Sequence, residues 1–407
     1  MKILVVSKLL PRADIIGGPI LIYHRIKNLA RRGHEITLLA PAYDEADLQD
    51  TSLDPFCRRV VKVPVQKDKP PELLARWHTE LRRPLFFLQG DGGYSPAFEE
   101  AFLRLLTEDT YDVILAEYSM MGQYLEAHRH RIPRHTLTVI SVHECYTRAH
   151  ELRRAKGEPI PDEDLAELRA YEFHMYRSVD LVLTLTSEDR DLLIAYEPRL
   201  RGRVRVVPHG VDTGFYVPPP RPRLGTRNLL YVGNFLHYPN VDAVRNFLDR
   251  CWPEIQAAVE GVRFFAIGHR PPEELLRYRS SRVIVRPGGT HADMVRAYWQ
   301  ADVFVAPIEL GTGFRGKILE ALATGLPVVA SPLALFGIDR HRGAGLFVFD
   351  RPGECVAQVV HLLRDPARRR ALSVAARHLG MEYDHRNAAR KLERVLREEL
   401  QRRAAML

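Results

Sequence analysis

Pro307-Ile308-Glu309-Leu310-Gly311-Thr312-Gly313-Phe314-Arg315-Gly316-Lys317-Ile318-Leu319-Glu320-Ala321-Leu322-Ala323, running on into Thr324-Gly325-Leu326-Pro327-Val328-Val329-Ala330, is the most informative stretch of the chain. The apolar run before it predicts a strand, the glycines predict a turn that exposes backbone amides, and a helix carrying Arg315 and Lys317 starts there. Amides and the positive end of a helix dipole attract phosphate, and two cations offset a diphosphate's charge without a metal ion. The same pattern also suits a plain strand-turn-helix with solvated basic residues, and spacing alone leaves both open.

Outward from this stretch, short β-rich runs alternate with amphipathic segments, the signature of parallel βαβ units with helices on both faces of a sheet. Strands are expected near 2–7, 35–40, 59–65, 112–116, 136–142, 180–185 and 203–207, and again near 228–232, 262–267, 282–285, 302–306 and 327–331. Helices of the second half are expected near 239–258, 291–300 and 316–324. Between the two series lie Pro218-Pro219-Pro220 and Pro222, which suit neither a helix nor a central strand. A chain of 407 residues exceeds the roughly 250–300 that one core serves. The expected organisation is a domain over 1–207, a proline-rich linker over 208–224, a second domain over 225–384, and a helix over 385–407 that can cross back to the first. Two doubly wound domains would form a cleft between the carboxyl ends of their sheets, where ligands of open α/β folds bind.

Composition excludes several classes. With 46% hydrophobic and 27% charged residues the chain is globular, and no apolar run reaches the ~18 residues of a membrane span. The start, Met1 to Ser7, is too short in its apolar run for a signal peptide and reads as a buried strand. Cys57, Cys145, Cys251 and Cys355 form no CxxC pair, which disfavours structural zinc and suits a reducing, cytoplasmic setting. Net charge is +8; residues 1–205 are nearly balanced, and 364–407 hold 12 basic against 6 acidic residues. This suits an anionic ligand, or peripheral contact with the inner face of a membrane helped by the basic and aromatic segment Arg76 to Phe87. Nucleic acid is not expected as a partner, because no reading motif accompanies the charge.

The chain resembles glycosyltransferase family 4 along nearly its whole length. The pieces that carry the resemblance are the Gly311–Ala330 block, Gly17-Gly18 after the first strand, Ser187-Glu188, Pro208-His209-Gly210-Val211-Asp212 at the domain junction, and Gly233 with Pro239-Asn240-Val241-Asp242. The resemblance implies a GT-B fold: two facing Rossmann-like domains, an interdomain cleft and a C-terminal helical tail. It implies an enzyme that moves a sugar from a nucleotide-diphosphate sugar to a hydroxyl acceptor, a glycan, a lipid-linked or a small molecule, with retention, in polysaccharide or glycoconjugate synthesis. No cofactor or metal is expected, and oligomeric state is not legible.

By that resemblance Arg315 and Lys317 stabilise the departing diphosphate and His143, closing the strand 136–142, contacts the donor sugar or phosphate. Gly17, Gly18, Gly233, Asn234, Gly311, Thr312, Gly313, Phe314 and Gly316 line the donor, and Glu320 takes the ribose hydroxyls as the second glutamate of the family's Glu-x7-Glu motif. The sequence departs twice. Thr312 replaces the first glutamate, and Asn234, His237 and Asn240 stand where many members place an Arg and a Lys. Two alternatives of similar architecture are an epimerase of nucleotide sugars and a nucleotide-binding protein without turnover, the latter suggested by Thr312. The absence of GxGxxG counts against a nicotinamide or flavin site.

Overall fold

The computed structural model describes residues 1–13, 18–221, 226–288, 291–311, 314–338 and 345–405. The chain divides into two compact units, Met1–Pro208 with Ala388–Leu407, and His209–Asn387. The first holds seven strands, β1 (Lys2–Ser7), β2 (Glu35–Ala42), β3 (Arg59–Pro64), β4 (Val113–Glu117), β5 (Leu137–Val142), β6 (Leu181–Thr184) and β7 (Val204–Val206), ordered β3-β2-β1-β4-β5-β6-β7. All pairings are parallel.

A parallel sheet is covered on both faces, so its strands are apolar on both sides. β1 shows this: Ile3 and Val5 point into one core with Ile22, Ile26 and Leu29 of the helix Gly18–Ala30, while Leu4 and Val6 point into another with Phe98 and Phe102 of the helix Pro96–Glu108. The terminal helix His385–Ala404 belongs to this unit from Ala388 on. Its Leu392, Val395 and Leu396 join the Ile3 face, each burial worth about 1.5–3 kcal/mol. Glu399 pairs with Arg205 at 2.7 Å and Arg403 with Asp180 at 2.5 Å.

The second unit holds β8 (Asn228–Asn234), β9 (Arg263–His269), β10 (Val283–Pro287), β11 (Val303–Ala306), β12 (Val328–Ala330) and β13 (Leu346–Val348), ordered β10-β9-β8-β11-β12-β13 and again all parallel. In each sheet the order reverses once, between β1 and β4 and between β8 and β11. Chains leaving the carboxyl ends of those strands diverge to opposite faces and open a crevice.

Several elements differ from what the sequence leads one to expect, the helices Pro352–Arg364 and Pro366–Glu382 among them as additions. The helix expected over 239–258 is two, Tyr238–Arg250 and Trp252–Ala258, because Pro253 has no amide hydrogen to continue the ladder past Cys251. The edge strand β13 is additional. Residues 211–217, inside the expected linker, are not a free tether. Val211 bridges to Asp384, Tyr216 is buried in the second core, and the Trp299 indole donates to the Val217 carbonyl at 2.7 Å. Among the described residues no helix is long and apolar enough to cross a membrane.

Candidate functional site

At the β8/β11 crevice the backbone comes first. Gly233 and Gly268 pair across β8 and β9 so closely that a Cβ on Gly268 would lie 1.6 Å from the Gly233 carbonyl oxygen. A Cβ on Gly233 would press to 3.0 Å on Asn240 and on Tyr231. The absent side chains let Asn240, in the first turn of the helix Tyr238–Arg250, fold back over the end of β8. Its Nδ2 donates to the Asn234 carbonyl at 2.7 Å, and its Oδ1 accepts from the Tyr231 hydroxyl at 2.7 Å. That Oδ1 also accepts from Lys317 Nζ at 2.6 Å, and the ammonium donates to the Tyr231 hydroxyl at 3.1 Å while lying 4.5 Å from its ring centre. Gly311 takes φ 92°, the left-handed region open to glycine, where a Cβ would meet Pro239 at 3.0 Å. Arg315 precedes the helix Gly316–Ala323 at its N-cap position, and its side chain donates to the Leu310 carbonyl at 3.4 Å.

Lys317 therefore sits among a ring, an amide and a phenol. Desolvation in this setting, and then the Arg315 charge, lower its pKa to about 7, with Glu320 opposing them. Glu320, one turn along the same helix face, accepts from the Tyr298 hydroxyl at 2.7 Å and from that of Tyr216. Burial, the charge of Glu320 and these hydrogen bonds push both phenols well above their ordinary range, so they stay donors. Phe314 lies flat on His209, with centroids 5.0 Å apart and planes 7° apart, and His209 Nδ1 donates to the Gly210 carbonyl at 2.6 Å.

At the β1/β4 crevice of the first unit, Glu117 closes β4 with no exposed surface. Its Oε1 accepts from Arg25 at 2.6 Å, its Oε2 from His143 Nε2 at 2.8 Å, and Arg25 also donates to Ser141 at 2.9 Å. Burial alone would raise the Glu117 carboxyl, but Arg25 and His143 overcome it and hold the pKa at about 2. Burial lowers that of His143. An ionised Glu117 accepts the hydrogen bond from Nε2–H, so the neutral imidazole presents Nδ1 as an acceptor. Tyr118, at φ 76°, stacks on His143 with centroids 4.1 Å apart. A Cβ on Gly18 would lie 1.6 Å from the Tyr118 hydroxyl and 3.3 Å from His143 Nδ1. Glycine is the residue that this approach permits.

A family model described as Glycosyltransferase Family 4 matches residues 17–215, and one described as Glycosyl transferases group 1 matches residues 226–365. The chain is a glycosyltransferase with a family 4 domain followed by a group 1 domain. It is 28% identical over 332 residues to a D-inositol 3-phosphate glycosyltransferase of Kineococcus radiotolerans, covering 73% of this chain and 74% of that one. A protein of the same name from Xylanimonas cellulosilytica is 26% identical, with 96% and 94% covered. Among solved structures, sucrose-phosphate synthase from Thermosynechococcus elongatus superposes with a TM-score of 0.71 at 17% identity, covering 98% of each chain. Anabaena HepE in complex with UDP superposes at 0.65 and 15%, covering 98% and 100%. These likenesses give the glycosyltransferase a GT-B fold.

Of the residues singled out in the sequence, the glycosyltransferase's second unit gathers Gly233, Asn234, Gly311, Phe314, Arg315, Gly316, Lys317 and Glu320 around one crevice. Its first unit gathers Gly18 and His143. Gly17, Thr312 and Gly313 lie outside the described residues. Gly316 has room to spare, since a Cβ there would only touch His209 at 3.8 Å. Sequence reasoning missed Tyr231, Tyr216, Tyr298, Arg25 and Glu117, and took Asn240 only as a substitute for a cation. The signals were present for two of them. Arg25 occupies a helix face otherwise filled by Ile22, Ile26 and Leu29, and Glu117 ends an apolar strand, and charges so placed demand partners.

Proposed function

We propose that this glycosyltransferase holds a nucleotide-diphosphate sugar at the β8/β11 crevice and passes its sugar, with retention, to a hydroxyl of an acceptor taken by the first unit. The observation that carries the donor reading is the Lys317 ammonium fixed by Asn240 and Tyr231 beside Arg315 at a helix N-terminus. Negative charge grows on the diphosphate as its bond to the sugar breaks, and preorganised cations and amides are the groups that stabilise it. Glu320, aimed by two phenols, suits the ribose hydroxyls. The UDP bound to Anabaena HepE supports a nucleotide of this class. In the retaining route the acceptor attacks on the face the diphosphate leaves, and the diphosphate takes its proton, so no protein nucleophile is required. Cytoplasmic glycan or glycoconjugate synthesis, with the enzyme at the inner face of a membrane, is the setting this chemistry suits.

Thermal stabilisation by UDP, GDP, ADP, TDP and their sugar conjugates, in chelator and at matched ionic strength, tests the reading. A ligand at about 100 times its Kd adds roughly 2.7 kcal/mol to the folded state. One nucleotide class is expected to stabilise the protein, and silence from all of them in a well-folded sample would overturn the donor assignment.

A further inference from the structure

The helix Gly316–Ala323, which carries Lys317 and Glu320, ends with carbonyls that have no partner inside the helix. The amides of Thr324, Leu326 and Gly325 satisfy those of Glu320, Ala321 and Leu322, at 3.0, 2.9 and 2.8 Å. The Ala323 carbonyl is left for a side chain. The helix Pro366–Glu382 provides it from a face on which Ser373, Arg377 and Gly380 follow one another. The Ser373 hydroxyl donates to the Gly325 carbonyl at 2.6 Å, and a Cβ on Gly380 would lie 2.5 Å from the Ala323 nitrogen, so the two helices meet at their backbones. Between these contacts Arg377 Nη1 donates to the Ala323 carbonyl and, at 2.8 Å, to that of Tyr216, while Nη2 donates to the Thr213 carbonyl at 3.0 Å.

These bonds close a loop of contacts. One arm runs from Arg377 through Ala323 back along the helix to Glu320. The other runs to the Tyr216 carbonyl and through that residue's ring to its hydroxyl, which donates to the same Glu320. Residues 212–217 belong to no helix or strand, so no ladder of their own fixes the backbone of Tyr216. Among the described residues Arg377 forms no ion pair, although it is half-buried; Asp384 acts on it only from a distance. Its donors go to three carbonyls on two separate stretches of chain. A planar guanidinium, with five N–H groups in a fixed fork, can span such a set, whereas an ammonium is a point that cannot.

We propose that Arg377 is a positioning residue for donor recognition: it ties the helix Gly316–Ala323 to the Tyr216 segment, and so aims the Glu320 carboxylate at the ribose hydroxyls of the nucleotide. It acts through Tyr216 and Glu320 and needs no contact with the donor. A carboxylate already accepting from two phenols offers its remaining lone pairs in one direction only. Once the Tyr216 segment moves, Tyr298 alone orients Glu320, and the side chain can turn to other rotamers. The inference rests on the ribose role of Glu320 given above.

The test uses the full chain and two ligands: whichever of UDP, GDP and ADP binds the wild type most tightly, and its 2′,3′-dideoxy analogue. Titration calorimetry gives the ratio of their Kd values. The wild type is expected to prefer the ribose form at least tenfold, and Glu320→Ala to abolish that preference. Arg377→Met should cut the ratio to about threefold or less while the dideoxy analogue binds within about twofold of wild type, because the diphosphate contacts of Lys317 do not run through Tyr216. Arg377→Lys keeps the charge but not the fork, and should also lower the ratio at least threefold; it serves as the variant if Arg377→Met does not fold. In a Glu320→Ala background, Arg377→Met should change neither affinity further. An undiminished ratio in the Arg377 variants, an equal loss for both ligands, or full additivity with Glu320→Ala overturns the proposal. A wild type without preference removes the ribose reading and the inference with it. A preference that needs Glu320 but not Arg377 removes the inference alone.

Discussion

Lys317 makes donor affinity depend on pH in a way that can be calculated. In the free protein its pKa is about 7, so the ammonium is largely present at pH 6 and largely lost at pH 8.5. A diphosphate beside it favours the charged form and lifts the pKa in the complex above the assay range. Binding then takes up a proton, and Kd rises with pH in inverse proportion to the protonated fraction of the free lysine. From pH 6 to pH 8.5 the loss is about 30-fold, and at pH 8 about 0.9 proton enters per ligand bound. Titration calorimetry reads both numbers, the second from the dependence of binding enthalpy on the ionisation enthalpy of the buffer. A nucleotide-diphosphate sugar is the right ligand, because unlike the free diphosphate it lacks a phosphate that titrates near neutrality. Lys317→Met should bind weakly with a flat profile. It should also fold at least as stably, since a lysine whose folded pKa is depressed destabilises the native state below that pKa, and the cost fades only as pH rises towards 10.5. A flat wild-type profile, or a slope that survives in Lys317→Met, would refute the assignment of this group to the diphosphate.

Three further outcomes are expected. Glu117 drops from an ordinary 4.5 to about 2 on folding, which at 1.36 kcal/mol per pH unit is about 3 kcal/mol of stability; this is present above pH 4.5 and lost as pH falls through 2. Glu117→Gln should therefore be less stable in urea at pH 7 by about that amount, with the gap closing at acid pH, and equal midpoints at pH 7 would sink the account. Gly18→Ala should displace Tyr118 and with it His143, lowering turnover more than tenfold. Adding Tyr118→Ala should recover much of the lost thermal stability, and strict additivity of the two changes would show that they do not meet. Glu320→Ala should weaken donor binding at least tenfold and remove the carboxylate to which the Tyr216 and Tyr298 hydroxyls both donate, at about 1–3 kcal/mol in stability. Glu320→Gln keeps an acceptor oxygen, so a variant as unstable as Glu320→Ala would contradict this explanation.

The strands were legible because a sheet covered on both faces must be apolar on both. Leu115 and Ala116 of β4 betray their burial by type alone, whereas the edge strand β13 did not. Other features depend on partners far off in sequence. Nothing near Lys317 announces that its ammonium meets Asn240 and Tyr231, 77 and 86 residues away. The sequence places a cation at a helix start, and only packing decides whether it is solvated or desolvated. The linker failed for a related reason. Prolines 218–220 do exclude regular structure, but Val211 and Tyr216 ahead of them are apolar, and burying them against the second unit outweighs leaving them in a tether.

The two crevices share a physical device. In each, a lysine leaves the region where a strand order reverses, is partly withdrawn from solvent, and is held by tyrosines in place of a carboxylate: Lys317 by Tyr231, Lys8 by Tyr118 and Tyr146. A carboxylate partner would stabilise the empty protein but would have to be displaced, at several kcal/mol, before a ligand's anion could take its place. Aromatic faces and phenols orient the ammonium without neutralising it. The protein thus carries the cost of a desolvated cation in its unliganded state, and the arriving anion recovers that cost as binding energy. At the first unit this reasoning predicts that Lys8→Met stabilises the unliganded protein. A carboxylate hidden against Lys8 would give the opposite sign, a loss of stability in Lys8→Met at neutral pH.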